Sequence, residues 1–182
     1  METKSKYKLK QGLTLWLTGL SGSGKSTIAT ALSKELLGIN FEILDGDEVR
    51  EHLTKELGFS KEDRLTNVDR IAFLAGMLSK YNVLAIVPVI APYKEARNNA
   101  RSLSKNFVEV FVKAGIETVK DRDVKGLYKK AISGEIKNFT GISDPYEEPE
   151  NPDILVNTEK ESIEESVNKI LEYLINNDYL SR

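Results

Sequence analysis

Nine consecutive residues, Gly19-Leu20-Ser21-Gly22-Ser23-Gly24-Lys25-Ser26-Thr27, have the types and spacing needed to hold a nucleoside triphosphate. They match the pattern G-x-x-x-x-G-K-[ST], which pairs a glycine-rich turn with a lysine and a hydroxyl. Gly19, Gly22 and Gly24 free the backbone so that N–H groups, including those of Ser21 and Ser23, can turn inward around phosphate oxygens. Lys25 has the reach for the β- and γ-phosphates. The Ser26 hydroxyl is a hard oxygen ligand suited to Mg²⁺, and Thr27 can serve the α-phosphate. A helix starting at Lys25 directs its positive end at the same anion. These residues imply ATP with Mg²⁺ as the donor.

A second group follows in Asp45-Gly46-Asp47-Glu48-Val49-Arg50. A carboxylate near a triphosphate can orient an acceptor hydroxyl, take its proton, or hold Mg²⁺ through water, and Asp47 is assigned that work. Asp47 can also act as the N-cap of the helix that follows. Arg50, Arg64 and Asn67 form a candidate anion clamp, because arginine offers a fork of donors and positions three apart on a helix share a face.

Competing chemistries fit less well. A guanine-reading N-K-x-D is missing, and the D-x-x-G at Asp123–Gly126 has no partner motif. With no cysteine, the chain has neither disulfides nor thiolate sites, and the single His52 cannot build a multi-histidine metal centre. A net charge of −2 argues against nucleic-acid binding through bulk charge. The small-molecule kinase reading leaves two alternatives open: a kinase for a different nucleoside or nucleotide, and a nucleotide-binding regulator without turnover.

Strand-like and helix-like stretches alternate to position these groups. Strands are expected at 13–18, 41–44, 83–90, 107–112 and 154–156. Helices are expected at 25–37, 47–57, 61–81 and 93–104, with a last one after Ser162. Ser60 is the expected N-cap of the 61–81 helix. Ser162 and Glu165 form a capping box, with Ile163, Val167, Ile170, Leu171 and Leu174 on one helix face. The apolar run Val83–Ile90 has the look of a strand buried on both faces of a parallel sheet. The chain of 182 residues, 40% hydrophobic and 30% charged, suits one domain across 1–182. The expected fold is α/β: a P-loop three-layer sandwich with helices on both faces of a parallel sheet. A polar Lys/Gly/Pro-rich segment at about 121–152 is the expected lid. The N-terminus lacks the apolar stretch of a signal peptide and no run is long enough to span a bilayer, so a cytoplasmic protein without membrane partners is expected.

The stretches GLSGSGKST, DGDEVR, LGFSKEDRLTN, KGLYKKA and IKNFTGISDPYE, in this order, resemble the adenylyl-sulfate kinase family over nearly the whole chain. That resemblance implies transfer from MgATP to the 3′-hydroxyl of adenylyl sulfate, within sulfate assimilation, and a homodimer. By position it makes Asp47 the catalytic or metal-organising carboxylate. It gives Arg50, Arg64, Asn67 and Ile90 to the acceptor and stacks Phe59 and Phe139 on its adenine. Lys125 and Lys137 would approach the acceptor or the moving phosphoryl group. Two positions depart from the family pattern. Ala91 stands where a phosphorylatable serine is common, so only direct transfer, or another residue, can serve. Val124 stands where the lid motif usually has proline, a modest change in backbone restriction.

Overall fold

The structure is a computed structural model that describes residues 5–123 and 125–182. The expectation for Val124 lies outside the described residues. In chain order the elements are β1 (Lys8–Leu9), β2 (Leu13–Thr18), α1 (Lys25–Glu35), β3 (Phe41–Ile43), α2 (Gly46–His52), α3 (Lys61–Lys80), β4 (Leu84–Pro88), α4 (Lys94–Leu103), β5 (Phe107–Lys113), α5 (Ile116–Arg122), α6 (Leu127–Ile132), β6 (Ile154–Asn157), α7 (Ile163–Asn176) and β7 (Leu180–Ser181).

Five strands form one parallel sheet in the order β3-β4-β2-β5-β6, and β1 pairs antiparallel with β7 in a separate two-stranded clip. The order reverses at β2, where the chain leaves for one edge and later returns to the other. Ligands of such sheets sit at the carboxyl ends of strands beside that switch point.

The period-two side-chain geometry of β2 divides the core. Leu13, Leu15 and Leu17 join the cluster of Ile28, Leu32, Ile170 and Leu174 from α1 and α7. Trp16 joins Ile71, Ala75 and Ala100 from α3 and α4 on the opposite face. Every β2 residue is buried, so its apolar run serves two layers at once. Truncating Leu15 to alanine is expected to cost about 2–5 kcal/mol, in the range of large-to-small core changes.

Caps set the helix ends. The Ser60 side chain accepts from Asp63 N at the start of α3, and the Ser162–Glu165 capping box opens α7. Gly38 adopts φ 89 two residues after the C-cap Leu36, a left-handed conformation that stops α1. Three expectations need correction. The helix after β3 spans only Gly46–His52, because Leu53–Leu57 depart into turns braced by Thr54. Its N-cap is Asp45, which accepts from Asp47 N, and not Asp47. Ile163 does not share the buried face of α7; it is exposed in the first turn. Sequence reading also missed β1, β7, α5 and α6, which are short and lack a strong apolar period.

Candidate active site

The loop after β2 turns because Gly19, Gly22 and Gly24 take φ values of 155, 76 and 107. Gly19 is the least replaceable. A Cβ there would run into the Val112 carbonyl and come within 2.8 Å of Ser23 Oγ. Gly24 is the left-handed N-cap of α1, so the loop passes directly into the helix. The Ser23 hydroxyl is buried without a hydrogen-bond partner.

Lys25 Nζ donates to the carbonyls of Gly19 (2.9 Å) and Leu20 (2.7 Å), folding the side chain back over the loop. Burial lowers its pKa to about 7, against the opposing pull of Asp45 and Asp47; Lys125 adds to the lowering. A lysine that poorly tolerates its own charge is poised to gain from an anion. Ser26 and Thr27 are exposed at the start of α1, and Ser26 Oγ donates to Asp45 Oδ2 at 2.8 Å. Tyr128 and Arg122 brace the loop from outside. Tyr128 Oη donates to Ser21 O at 2.8 Å, and burial pushes its hydroxyl up to about 12. Arg122 donates to Gly22 O, Thr158 Oγ1 and Thr158 O.

Asp45 and Asp47 arrive from the end of β3, two strands away from β2 in the sheet. Asp47 forms an ion pair with Lys125, which raises the lysine pKa, first through that hydrogen bond. Both side chains are exposed, so the pair is a movable contact with little hold on stability. It nonetheless places the Lys125 segment over the carboxylate beside the phosphate loop.

The candidate anion clamp is engaged with backbone. Arg50 donates to the carbonyls of Leu57 (3.1 Å) and Gly58 (3.0 Å). Arg64 donates through Nε to Phe59 O and through Nη2 to Asn138 O, and burial lowers its pKa. Phe59 is 53% exposed and lies between the two guanidinium groups, 4.7 Å from Arg50 Cζ and 5.6 Å from Arg64 Cζ. Phe139 sits edge-on against Tyr128 with ring centroids 4.9 Å apart. Arg64 therefore links the segment that carries the exposed Phe59 to the one that carries the partly buried Phe139. Asn67 is buried, its Oδ1 accepting from Thr54 Oγ1 at 2.6 Å. Ile90 lies just past β4, between β2 and β3, and its carbonyl accepts from Thr18 Oγ1 at 2.6 Å. Lys137 is exposed and makes no ion pair among the described residues.

The phosphate loop and the acceptor-side aromatic Phe139 are joined through Tyr128, which bonds Ser21 O and packs edge-on against Phe139. The family model for adenylylsulphate kinase matches residues 11–157. This chain belongs to the adenylyl-sulfate kinase family. It is 54% identical over 175 residues to the adenylyl-sulfate kinase of Rippkaea orientalis, covering 95% of this chain and 97% of that one. A probable adenylyl-sulfate kinase of Pseudomonas aeruginosa is 57% identical over 162 residues, covering 88% and 76% of the two chains. Among solved structures, an APS kinase of Mycobacterium tuberculosis in complex with AMPPNP and APS superposes with a TM-score of 0.87 at 42% identity. That match covers 90% of this chain and 98% of the other. Family membership makes the chain an ATP-dependent phosphotransferase of the P-loop α/β class.

Three residues of the site escaped sequence reading. Asp45 was read only as part of its motif, although its position at the end of β3 before a helix marked it as a cap. Arg122 and Thr158 carried no local pattern, since 36 residues separate them. Among the described residues no cluster of three or more metal-ligating side chains occurs, and no helix is long and apolar enough to cross a membrane.

Proposed function

We propose that this site transfers the γ-phosphoryl group of ATP directly to the 3′-hydroxyl of adenylyl sulfate, giving 3′-phosphoadenylyl sulfate and ADP. The observation that carries the reading is the link from the phosphate loop through the end of β3 to the Lys125 segment. Ser26 of the donor loop is bonded to Asp45, and Asp47, two residues on, is paired with Lys125. Donor and acceptor groups are then close enough for in-line transfer.

Gly19 through Thr27 hold the donor phosphates, with Lys25 turning from the Gly19 and Leu20 carbonyls to the β- and γ-oxygens. The Ser26 hydroxyl and the Asp45 and Asp47 carboxylates are hard oxygen donors that fit Mg²⁺, with Asp47 acting through water. Such an ion, when bound, neutralises charge on the phosphates. Asp47 orients the 3′-hydroxyl and takes its proton as the 3′-oxygen bonds to the γ-phosphorus. The bond from that phosphorus to the bridging oxygen breaks, and ADP leaves. Lys125 releases Asp47 and follows the moving charge, while Lys137 approaches from the same segment.

Arg50, Arg64, Asn67 and Ile90 hold the acceptor's phosphosulfate and ribose, and Phe59 and Phe139 stack on its adenine. The segment at about 121–152 serves as the lid. Ala91 offers no hydroxyl, which suits direct transfer without a phosphoserine. One kinase domain over 1–182, working as a homodimer in the cytoplasm where ATP is made, completes the reading.

The test is ADP release with adenylyl sulfate, AMP and adenosine offered separately to the purified protein with MgATP. Stimulation by adenylyl sulfate alone supports the assignment. Equal or greater stimulation by AMP or adenosine overturns it.

A further inference from the structure

Three consecutive carbonyl oxygens, those of Ile90, Ala91 and Pro92, are each bonded to a different part of the molecule. Ile90 O accepts from Thr18 Oγ1 at 2.6 Å, at the root of the phosphate loop. Ala91 O accepts from Arg97 Nη1 at 2.8 Å, from α4. Pro92 O accepts from Glu147 N at 2.9 Å, in the C-terminal part of the lid segment. The loop needs such fastening. Ala91 is buried with φ 43, a left-handed conformation that a residue with a Cβ adopts only when its surroundings impose it.

Arg97 is the hub. Its side chain is 3% exposed, and all three sides of its guanidinium are used. Nη1 holds Ala91 O, Nη2 holds Glu147 O at 2.7 Å, and Nε pairs with Glu109 Oε1 at 3.1 Å. Burial raises the pKa of Glu109, while Arg97 and Arg101 pull it back down. Tyr146 lies beneath the guanidinium at 5.9 Å and shares a 2.9 Å hydrogen bond with Thr18 Oγ1. Thr18 spends its proton on Ile90 O, so Tyr146 is the donor there. Burial raises its pKa and keeps the phenol protonated. The 139–144 turn just before Tyr146 is closed on itself by the Ser143 and Asp144 amides donating to Phe139 O.

We propose that Arg97 is a positioning residue for the acceptor. It fixes the Ile90–Pro92 loop to the Tyr146–Glu147 strap, and so sets where Phe139 and Ile90 meet the acceptor nucleotide. The donor cradle is held instead by its own backbone and by Tyr128 and Arg122. This rests on the acceptor reading above. Glu109 keeps the buried guanidinium neutralised, and a lysine at 97 could preserve that charge but reach at most part of the fork.

The experiment compares Arg97→Lys and Tyr146→Phe with the unaltered chain. KM is measured for each substrate and amide exchange for residues 139–147. Arg97→Lys should raise the adenylyl sulfate KM about tenfold, as loss of a buried charged hydrogen bond implies, with the ATP KM within about twofold. Tyr146→Phe should shift the acceptor KM the same way by about threefold, reflecting one neutral hydrogen bond. Exchange at Ser143, Asp144 and Glu147 should quicken in both, with the Gly19–Thr27 amides unchanged. A lower melting temperature with unchanged KM values, or a parallel rise in both KM values, overturns the proposal. Should Arg97→Lys not fold, Tyr146→Phe alone decides by the same criteria. If the unaltered chain does not phosphorylate adenylyl sulfate, the functional reading falls by itself. The exchange arm then decides, and unchanged protection at 139–147 refutes the positioning role.

Discussion

The donor and acceptor halves of the proposed site are built in opposite ways. The donor half is nine contiguous residues whose shape comes from backbone conformation, with three glycines at positive φ and a helix start behind them. The acceptor half draws side chains from the ends of β3 and β4, from α3, and from the 125–147 segment. Its arginines hold carbonyls of other loops, so its geometry depends on how those loops pack. A motif made of backbone tolerates distant change, whereas one made of converging side chains inherits every shift in the scaffold. Substitutions should therefore sort cleanly by half.

Lys25→Ala is expected to have the largest effect. Loss of a buried cation from the phosphate cradle should lower kcat/KM for ATP about 10³-fold, on the scale of removing a preorganised charge donor. Steady-state kinetics with ATP varied would check this, and a change confined to the acceptor KM would break the division. Asp47→Ala should lower kcat about 10²- to 10³-fold, the span of general acid–base assistance, with MgATP affinity held within about twofold. Single-turnover kinetics beside nucleotide titration separates the two quantities, and unaltered turnover would remove Asp47 from the chemistry.

Arg64→Ala should raise the acceptor KM about 10- to 100-fold, since it removes an anion partner and the tie from Phe59 to Asn138. An effect seen only in the ATP KM would move Arg64 to the donor half. Phe59→Ala and Phe139→Ala should each raise the acceptor KM about tenfold, within the value of base stacking on an aromatic face. A larger rise for adenylyl sulfate than for an acceptor with a smaller base would sharpen the comparison.

The smallest effect is a proton. Lys25 has a folded pKa lowered to about 7 by burial, below its unfolded value. Between those two pH values the unfolded chain carries one more proton than the folded one, so this residue makes stability rise with pH in that window. Phosphate oxygens beside Lys25 restore its charge. ADP binding at about pH 8.5 should accordingly take up close to one proton, and at about pH 6 almost none. Calorimetry in buffers of different ionisation enthalpy reads the uptake, and Lys25→Met should abolish it.

Legibility in the sequence followed the same division. The phosphate loop was readable because glycine spacing, a lysine and a hydroxyl act within one turn of chain. The strands of the main sheet and the long helices were readable because β2 and β4 are apolar on both faces and α3 and α7 carry their own caps. The N-cap role open to Asp47 as an alternative belongs to Asp45, a shift of two that hydrogen-bond geometry decides. Arg97 left one clue, Glu109 in the middle of the apolar run FVEVFV. A carboxylate there must find a cation, but spacing could not say which one.

By its residue order alone the chain determined a parallel α/β fold, a triphosphate loop after the first long strand, and the set of charged and aromatic groups available to a second anion. Those are local properties, set by backbone freedom, periodicity and caps within a few residues. Only the tertiary structure decided that Asp45 reaches Ser26, that Lys125 closes on Asp47, and that Arg97 gathers Ala91, Glu109 and Glu147 around one guanidinium. Such contacts join residues far apart in the chain. They depend on strand order and, for Arg97 and Glu109 alone, on the burial that makes an unpaired charge too costly to leave alone.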